Sequence, residues 1–188
     1  MLRLLPGLWI FGTGEACIVH ARLGNSPWTV LAQGVSKHTP LAIGTATVAI
    51  SILVLLAWIP LRQRPGLGTV LNAILVGLAI DVMLPLLPGA GGMVSRLAFV
   101  AAGIALVSVA SGFYLTARLG PGPRDGLMTA LHFRTGRSLR LVRGSIEGSA
   151  LVAGFLLGGR VGVGTVAFAV LIGPGVQAAV KALGGRLR

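Results

Sequence analysis

One short sequence occurs twice in this chain, and the repetition constrains the fold more than any other feature. Ala21-Arg22-Leu23-Gly24 recurs as Ala117-Arg118-Leu119-Gly120, an offset of 96 positions. Carried along the chain without a gap, the same offset aligns residues 64–70 with residues 160–166, where five of the seven positions are identical. Self-similarity at a fixed offset indicates that one structural unit has been duplicated. We therefore expect two units of one fold, residues 1–92 and 93–188.

Composition indicates that both units lie in a lipid bilayer. The chain is 54% hydrophobic and 11% charged, and its apolar runs are too long for a soluble protein of this size to bury. A net charge of +12 would suit nucleic-acid binding in a soluble protein. Here the basic residues lie between the apolar runs, which is typical of membrane topology, so we exclude nucleic acid as a partner.

Each unit contains three apolar segments of crossing length and one shorter helix. The six long segments are residues 4–20, 40–61, 67–87, 97–116, 138–157 and 161–183. The short helices are predicted at 27–37 and 123–133, and eleven helical residues rise only about 16 Å against roughly 30 Å of hydrocarbon. Because three crossings are an odd number, the second unit must enter the bilayer from the opposite side. The predicted fold is an all-α integral membrane protein with six transmembrane helices, arranged as two inverted three-helix repeats that each carry an extra short helix.

Positive charge is divided unequally between the two sides that this topology creates. One side receives Arg22, Lys37, Arg96 and Arg160. The other side receives the remaining twelve basic residues: Arg3, Arg62, Arg64, Arg118, Arg124, Arg134, Arg137, Arg140, Arg143, Lys181, Arg186 and Arg188. Cytoplasmic loops carry the excess of Lys and Arg, so we expect both termini in the cytoplasm.

Charged residues within the apolar segments are the candidates for function, because a carboxylate in hydrocarbon costs several kcal/mol unless it is paired or neutralised. Glu15 and Glu147 lie near the middle of their segments. Arg143 precedes Glu147 by four residues and so shares its helix face. This pair either neutralises itself within the bundle or takes part in substrate or proton handling.

The two short helices begin with different chemistry, Ser26-Pro27-Trp28 in the first unit and Pro123-Arg124-Asp125 in the second. A helix N-terminus within the membrane offers free N–H groups and a partial positive charge to an anion. Arg124 either adds a full charge to such a site or lies in the cytoplasm beside a simple turn. We expect one substrate cavity for an anionic or zwitterionic solute, with these lining residues: Glu15, Ser26, Trp28, Arg124, Asp125, Arg143 and Glu147.

Four stretches carry a resemblance to a known family. They are Arg22-Leu-Gly-Asn-Ser-Pro-Trp-Thr-Val-Leu, Thr39-Pro-Leu-Ala-Ile-Gly-Thr, Trp58-Ile-Pro-Leu-Arg-Gln-Arg-Pro-Gly-Leu-Gly-Thr and Ala117-Arg-Leu-Gly-Pro-Gly-Pro-Arg-Asp-Gly-Leu-Met. The chain resembles the YczE-like bacterial membrane proteins, which are distantly akin to the YitT-like group, over almost its whole length. The resemblance implies a multi-pass protein of the bacterial inner membrane and brings no catalytic residues to carry over.

The leading hypothesis is a small secondary transporter, or the substrate-binding membrane subunit of one, because inverted repeats with short helices commonly build a site at the bilayer midplane. The alternative is a non-transporting scaffold or partner subunit of a larger complex. We expect no enzymatic activity, since no nucleophile and base can be paired, and no metal or cofactor. The expected partners are the lipid bilayer, a small solute, and either a second copy of the chain or a partner subunit.

Overall fold

The computed structural model describes residues 4–116 and 119–183, and these residues form eight α-helices and no strand. The helices are α1 (Leu4–Ala21), α2 (Pro27–His38), α3 (Ile43–Trp58), α4 (Leu67–Met83), α5 (Met93–Thr116), α6 (Pro123–Thr135), α7 (Leu139–Leu156) and α8 (Val163–Ala182). A short 3₁₀ turn, Leu84–Leu86, extends α4 around Pro85. The all-helical prediction is confirmed, and every predicted helix is present with small differences at its ends.

Both short helices begin with proline, which lacks the N–H that the first turn of a helix leaves without a partner. Ser26 occupies the N-cap position of α2 as predicted, but its hydroxyl does not cap the helix. Gly136 ends α6 in the left-handed conformation, at φ 66°. After α2 the chain bends by 112° into α3, so α2 and α3 form a broken pair rather than one continuous helix.

Four helices are long and apolar enough to cross a membrane within the described parts of the chain. These are α1, α4 with its 3₁₀ turn, α5 and α8, and the bent pair of α2 and α3 would make a fifth crossing. Taken alone, α3 is 16 residues long, about 24 Å. The polar face of α7 explains why it is not among the four, because it carries Arg140, Arg143 and Glu147.

The long helices pack around α1, which contacts α4 on one side and α5 on the other, while α5 also packs against α8. Leu8, Ile80 and Tyr114 belong to the apolar core between α1, α4 and α5. A separate core lies where α2 meets α3 and α7, around the indole of Trp28 and the small side chains of Ala32 and Ala46. The first turn of α2, which carries Trp28, therefore belongs to this second core.

A pair of reciprocal hydrogen bonds joins the two units. The backbone N–H of Gly68 donates to the carbonyl of Leu119 at 2.8 Å, and the N–H of Gly164 donates to the carbonyl of Leu23 at 2.8 Å. Under the offset of 96, each bond is the equivalent of the other. The residue that follows each carbonyl, Gly24 or Gly120, has a positive φ of 111° or 115°, a conformation that favours glycine. The repeated Leu-Gly sequence is thus the point at which each unit bonds to the other.

Two side chains near helix ends contact distant connections. Lys37 Nζ, in the last turn of α2, donates to the carbonyl of Gly158 in the α7–α8 connection at 2.6 Å. Arg134, in the last turn of α6, donates to the carbonyl of Pro60 in the α3–α4 connection at 2.8 Å. Of the basic residues used to predict topology, Arg3, Arg118, Arg186 and Arg188 lie outside the described residues.

Candidate functional site

Glu15 is the most deeply buried carboxylate among the described residues, with 2% of its surface exposed. It points from α1 to the first turn of α2. The Ser26 hydroxyl lies 3.0 and 2.9 Å from the two carboxylate oxygens, and the Thr29 hydroxyl donates to Oε2 at 2.8 Å. These bonds explain why Ser26 does not cap α2. The carboxylate instead lies at the partly positive end of that helix, which stabilises negative charge.

Arg124 approaches the same place from the second unit. Its guanidinium carbon lies 4.8 Å from the centre of the Trp28 ring, within the range of a cation–π contact. The guanidinium is half-buried and lies within electrostatic range of Glu15, Asp125 and Glu147. Positions 28 and 124 are equivalent under the offset of 96, so the two short helices meet through corresponding residues.

Two groups of hydrogen-bond donors at this meeting point lack an acceptor in the described structure. No hydrogen bond or ion pair to Arg124 is found there, although a guanidinium carries five N–H donors. The indole Nε1 of Trp28 is buried and has no partner. Buried polar groups are nearly always bonded, so the unpartnered indole N–H of Trp28 makes this meeting point the candidate binding site.

The acidic residue of the second short helix has a partner on a neighbouring long helix. The Tyr114 hydroxyl donates to Asp125 Oδ2, so α5 is bonded to the first turn of α6. The arrangement mirrors that of the first unit with the groups exchanged. In the first unit the long helix supplies the carboxylate and the short helix the hydroxyls, whereas in the second the short helix supplies the carboxylate.

Arg143 and Glu147 form an ion pair on α7, with 2.9 Å between Nε and Oε1. Their side chains are 52% and 31% exposed, so the pair lies at the edge of the bundle rather than beside Glu15. Glu147 nevertheless remains within electrostatic range of Arg124. The structure therefore brings Glu15, Ser26, Trp28, Arg124 and Asp125 together, with the α7 pair at the margin.

Three residues near the site were not among the predicted ones: Thr29, Tyr114 and Asn25. Thr29 follows Ser26 by one helical turn, a spacing that puts both hydroxyls on one face and was available in the sequence. Asn25 is 1% exposed and donates to Gln33 at 3.0 Å, while its own Oδ1 has no partner. No three His, Cys, Asp or Glu side chains come together as a metal site in the described residues.

Comparison with known proteins identifies relatives along most of the chain. Residues 1–181 match the model of a family of unknown function, DUF6198. An uncharacterized protein of Haemophilus influenzae is 45% identical over 174 residues, which is 93% of this chain and 80% of the relative. The uncharacterized membrane protein YczE of Bacillus subtilis is 31% identical over 169 residues, 89% of this chain and 79% of YczE.

A third relative, the uncharacterized protein YyaS of Bacillus subtilis, is 26% identical over 164 residues, 85% of this chain and 82% of YyaS. No solved structure matches the chain. The resemblance to YczE-like proteins is confirmed, and together with the long apolar helices it identifies an integral membrane protein. Because the family model covers nearly the whole chain, the protein belongs to the DUF6198 family.

Proposed function

We propose that this protein is a small secondary transporter, or the substrate-binding membrane subunit of one, for an anionic or zwitterionic solute. One observation carries the proposal. Arg124 covers the Trp28 ring at 4.8 Å, and neither its guanidinium nor the Trp28 indole N–H has an acceptor among the described residues. Donors grouped in this way suit a carboxylate or a phosphate, since a guanidinium can bind either through two parallel hydrogen bonds.

The proposal includes the six-span inverted layout, with repeat units 1–92 and 93–188 and both termini in the cytoplasm of the bacterial cell. Reciprocal contacts support it, because a two-fold axis makes residue i contact j and residue j contact i. Gly68 with Leu119 and Gly164 with Leu23 form such a pair. An axis in the membrane plane also requires α3 and α7 to cross, and it puts the Lys37–Gly158 contact at one face of the membrane and the Arg134–Pro60 contact at the other.

The first turns of α2 and α6 then approach the bilayer midplane from opposite faces. Transporters with inverted repeats commonly place a substrate site between such half-helices, with the positive helix ends directed at an anionic group. Trp28 supplies an apolar face and Arg124 a charge. Glu15, across the site, offers the amino group of a zwitterionic solute a hydrogen-bond acceptor.

The alternative is a membrane scaffold that binds another subunit. The exposed surface of α7 and α8 supports this alternative. In the described structure α3 packs against α4, but the equivalent helices α7 and α8 do not pack closely together. Phe155 and Leu156 on α7 and Val163 on α8 are exposed.

Transport in proteoliposomes tests the proposal. We would measure counterflow of labelled aspartate, glycine and inorganic phosphate, with lysine as the cationic control. The wild-type protein should exchange at least one of the first three and not lysine. Arg124→Ala should lower exchange about 10- to 100-fold, because a hydrogen bond to a charged group is worth about 1.5–3 kcal/mol. Arg96→Ala, a matched substitution away from the site, should have little effect. Absence of all exchange, with a stoichiometric subunit in the preparation purified from native membranes, would instead support the scaffold.

A further inference from the structure

The partners of the chain's four carboxylates differ in a way that separates structural groups from a proton site. Asp81 accepts hydrogen bonds from the backbone N–H groups of Gly44 and Thr45, at 2.6 and 2.7 Å, and from the Thr45 hydroxyl at 2.8 Å. The two backbone N–H groups can only donate. Glu147 is paired with the guanidinium of Arg143, which likewise can only donate. Each of these two carboxylates therefore has at least one partner that could not accept a hydrogen bond from a protonated carboxyl group.

Glu15 has a different set of partners. Its hydrogen-bond partners in the described structure are the hydroxyls of Ser26 and Thr29, which also lie 3.1 Å from each other. A hydroxyl both donates and accepts, and its hydrogen rotates about the C–O bond. When Glu15 is ionised, both hydroxyls donate to it. When it is protonated, its O–H donates to Thr29 Oγ1 and the hydroxyl of Thr29 turns away, with no movement of heavy atoms. The cluster therefore accommodates Glu15 in either state.

The charge of the site shows why a change of state is useful. Apart from the Arg143–Glu147 pair, whose two charges cancel, Glu15 and Asp125 contribute two negative charges near one positive charge, that of Arg124. An anionic solute bound to Arg124 would bring a third negative charge into a site of low dielectric constant. Such an excess is costly unless one carboxylate is neutralised. Binding of the anion and binding of a proton to Glu15 would thus favour each other, and the coupling is reciprocal.

We propose that Glu15 binds the coupling proton of this transporter, so that an anionic solute held by Arg124 moves together with one proton. The inference rests on the proposed function and adds the coupling ion and the residue that carries it. The only chemical change is protonation: a hydronium ion gives its proton to a Glu15 carboxylate oxygen, which returns it as water accepts it on the opposite side of the membrane. The net charge that moves with a monoanion is zero.

The groups facing Glu15 support this assignment. From α6 it is faced by the cation Arg124, and from α2 by the uncharged hydroxyls of Ser26 and Thr29. α4 and α5, which pack against α1, bring no charged group into its electrostatic range among the described residues. Asp125, which also has a hydroxyl partner, is half-buried rather than enclosed. Glu15 is thus the carboxylate that the protein shields most completely from solvent.

A first experiment needs no solute. Infrared spectra of the full-length protein in lipid nanodiscs, recorded across a pH titration, should contain the C=O band of a carboxylic acid that appears on acidification. The band should be missing in Glu15→Gln and retained in the matched variant Glu147→Gln. Retention of the band in Glu15→Gln, or its loss only in Asp125→Asn, would overturn the assignment. Glu15→Asp, which keeps a carboxyl group, is the control for misfolding and should again show a band that appears on acidification.

A second experiment separates the proton from the transporter. In proteoliposomes with an alkaline interior, wild-type protein should accumulate labelled aspartate up to about tenfold per unit of pH gradient, the limit for one proton per monoanion. The plateau concentration reports coupling rather than rate, so Glu15→Gln should exchange aspartate more slowly and reach no plateau above the outside concentration. Complete loss of aspartate exchange in Glu15→Gln would make Glu15 a ligand of the solute and overturn its coupling role. If Glu15→Gln accumulates aspartate as wild type does, the proton inference fails and the transporter stands. If wild-type protein exchanges no probe, both the proposed function and the coupling role fail, whatever the infrared titration gives.

Discussion

Replacing Gly164 with alanine should destabilise the fold, because a methyl group there collides with the junction between the two units. A Cβ atom at this position would lie 2.5 Å from the carbonyl oxygen of Gly24 and 3.2 Å from that of Leu23. Ordinary contacts begin at 3.4 Å, so the backbone at Leu23 and Gly24 would have to retreat by roughly 1 Å. The 2.8 Å hydrogen bond between Gly164 N–H and the Leu23 carbonyl would not survive this displacement.

Three effects determine how much Gly164→Ala changes the free energy of unfolding. The lost backbone hydrogen bond costs about 0.5–1.5 kcal/mol, and overpacking costs about 1–3 kcal/mol. Alanine in a helix gains up to about 1 kcal/mol over glycine. The expected net loss is therefore about 2 kcal/mol, or roughly a 30-fold shift of the unfolding equilibrium. The equivalent substitution Gly68→Ala should cost less, since its Cβ would lie 2.9 Å from the Leu119 carbonyl oxygen.

The assay is reversible unfolding in mixed micelles with increasing dodecyl sulfate, followed by circular dichroism. Gly148→Ala is the matched control, because it places alanine in α7 where a Cβ would meet no atom within 4 Å. It should leave stability unchanged or raise it slightly. The reasoning is refuted if Gly164→Ala is as stable as the wild type, or if Gly148→Ala loses as much stability as Gly164→Ala.

Topology and the indole–guanidinium contact give two further predictions. In a Cys17→Ala background, cysteines introduced in place of Lys37 and Arg134 should react with an impermeant thiol reagent from opposite sides of the membrane, position 37 from outside. Reaction of both from one side would exclude the inverted layout. Trp28→Phe should keep most of the stability supplied by the contact with Arg124, whereas Trp28→Leu should lose about 0.5–2 kcal/mol, because only an aromatic ring offers a face to the cation. Equal losses in the two variants, measured in the same unfolding assay, would show that the contact contributes packing alone.

The helices were predictable from sequence because local signals mark them. Prolines at positions 27 and 123 and the glycine-rich connections delimit the short helices, and the apolar runs delimit the long ones. The number of membrane crossings is less clearly marked in the sequence. α7 combines a helical period with Arg140, Arg143 and Glu147, so its apolar stripe is narrow and composition alone does not identify it as a span. Only contacts between distant parts of the chain indicate whether α7 crosses the membrane.

The residues of the candidate site were predictable from the sequence, but their hydrogen bonds were not. A charge within an apolar segment indicated Glu15, and the different first turns of the two repeated short helices indicated Trp28 and Arg124. The use of the Ser26 hydroxyl was missed, because a serine before a helix ordinarily bonds to that helix, whereas here a carboxylate from α1 competes for it. That competition depends on how closely α1 approaches α2, which no local sequence pattern encodes.

The last prediction concerns the ion pair on α7, which either only neutralises its own two charges or takes part in exchange. Arg143 and Glu147 are 2.9 Å apart and partly exposed, so the pair itself should contribute no more than about 1 kcal/mol to stability. If its only role is to neutralise two charges in the membrane, Arg143→Gln and Glu147→Gln should each impair exchange by leaving one charge unpaired, and the double variant should recover. Glu147 also lies within electrostatic range of Arg124, however, so removing its charge changes the field at the guanidinium whether or not Arg143 is present. We therefore expect Glu147→Gln to abolish aspartate exchange in folded protein, and the double variant to remain inactive. Recovery of exchange in the double variant would show that the pair only compensates its own charges and that neither residue belongs to the site.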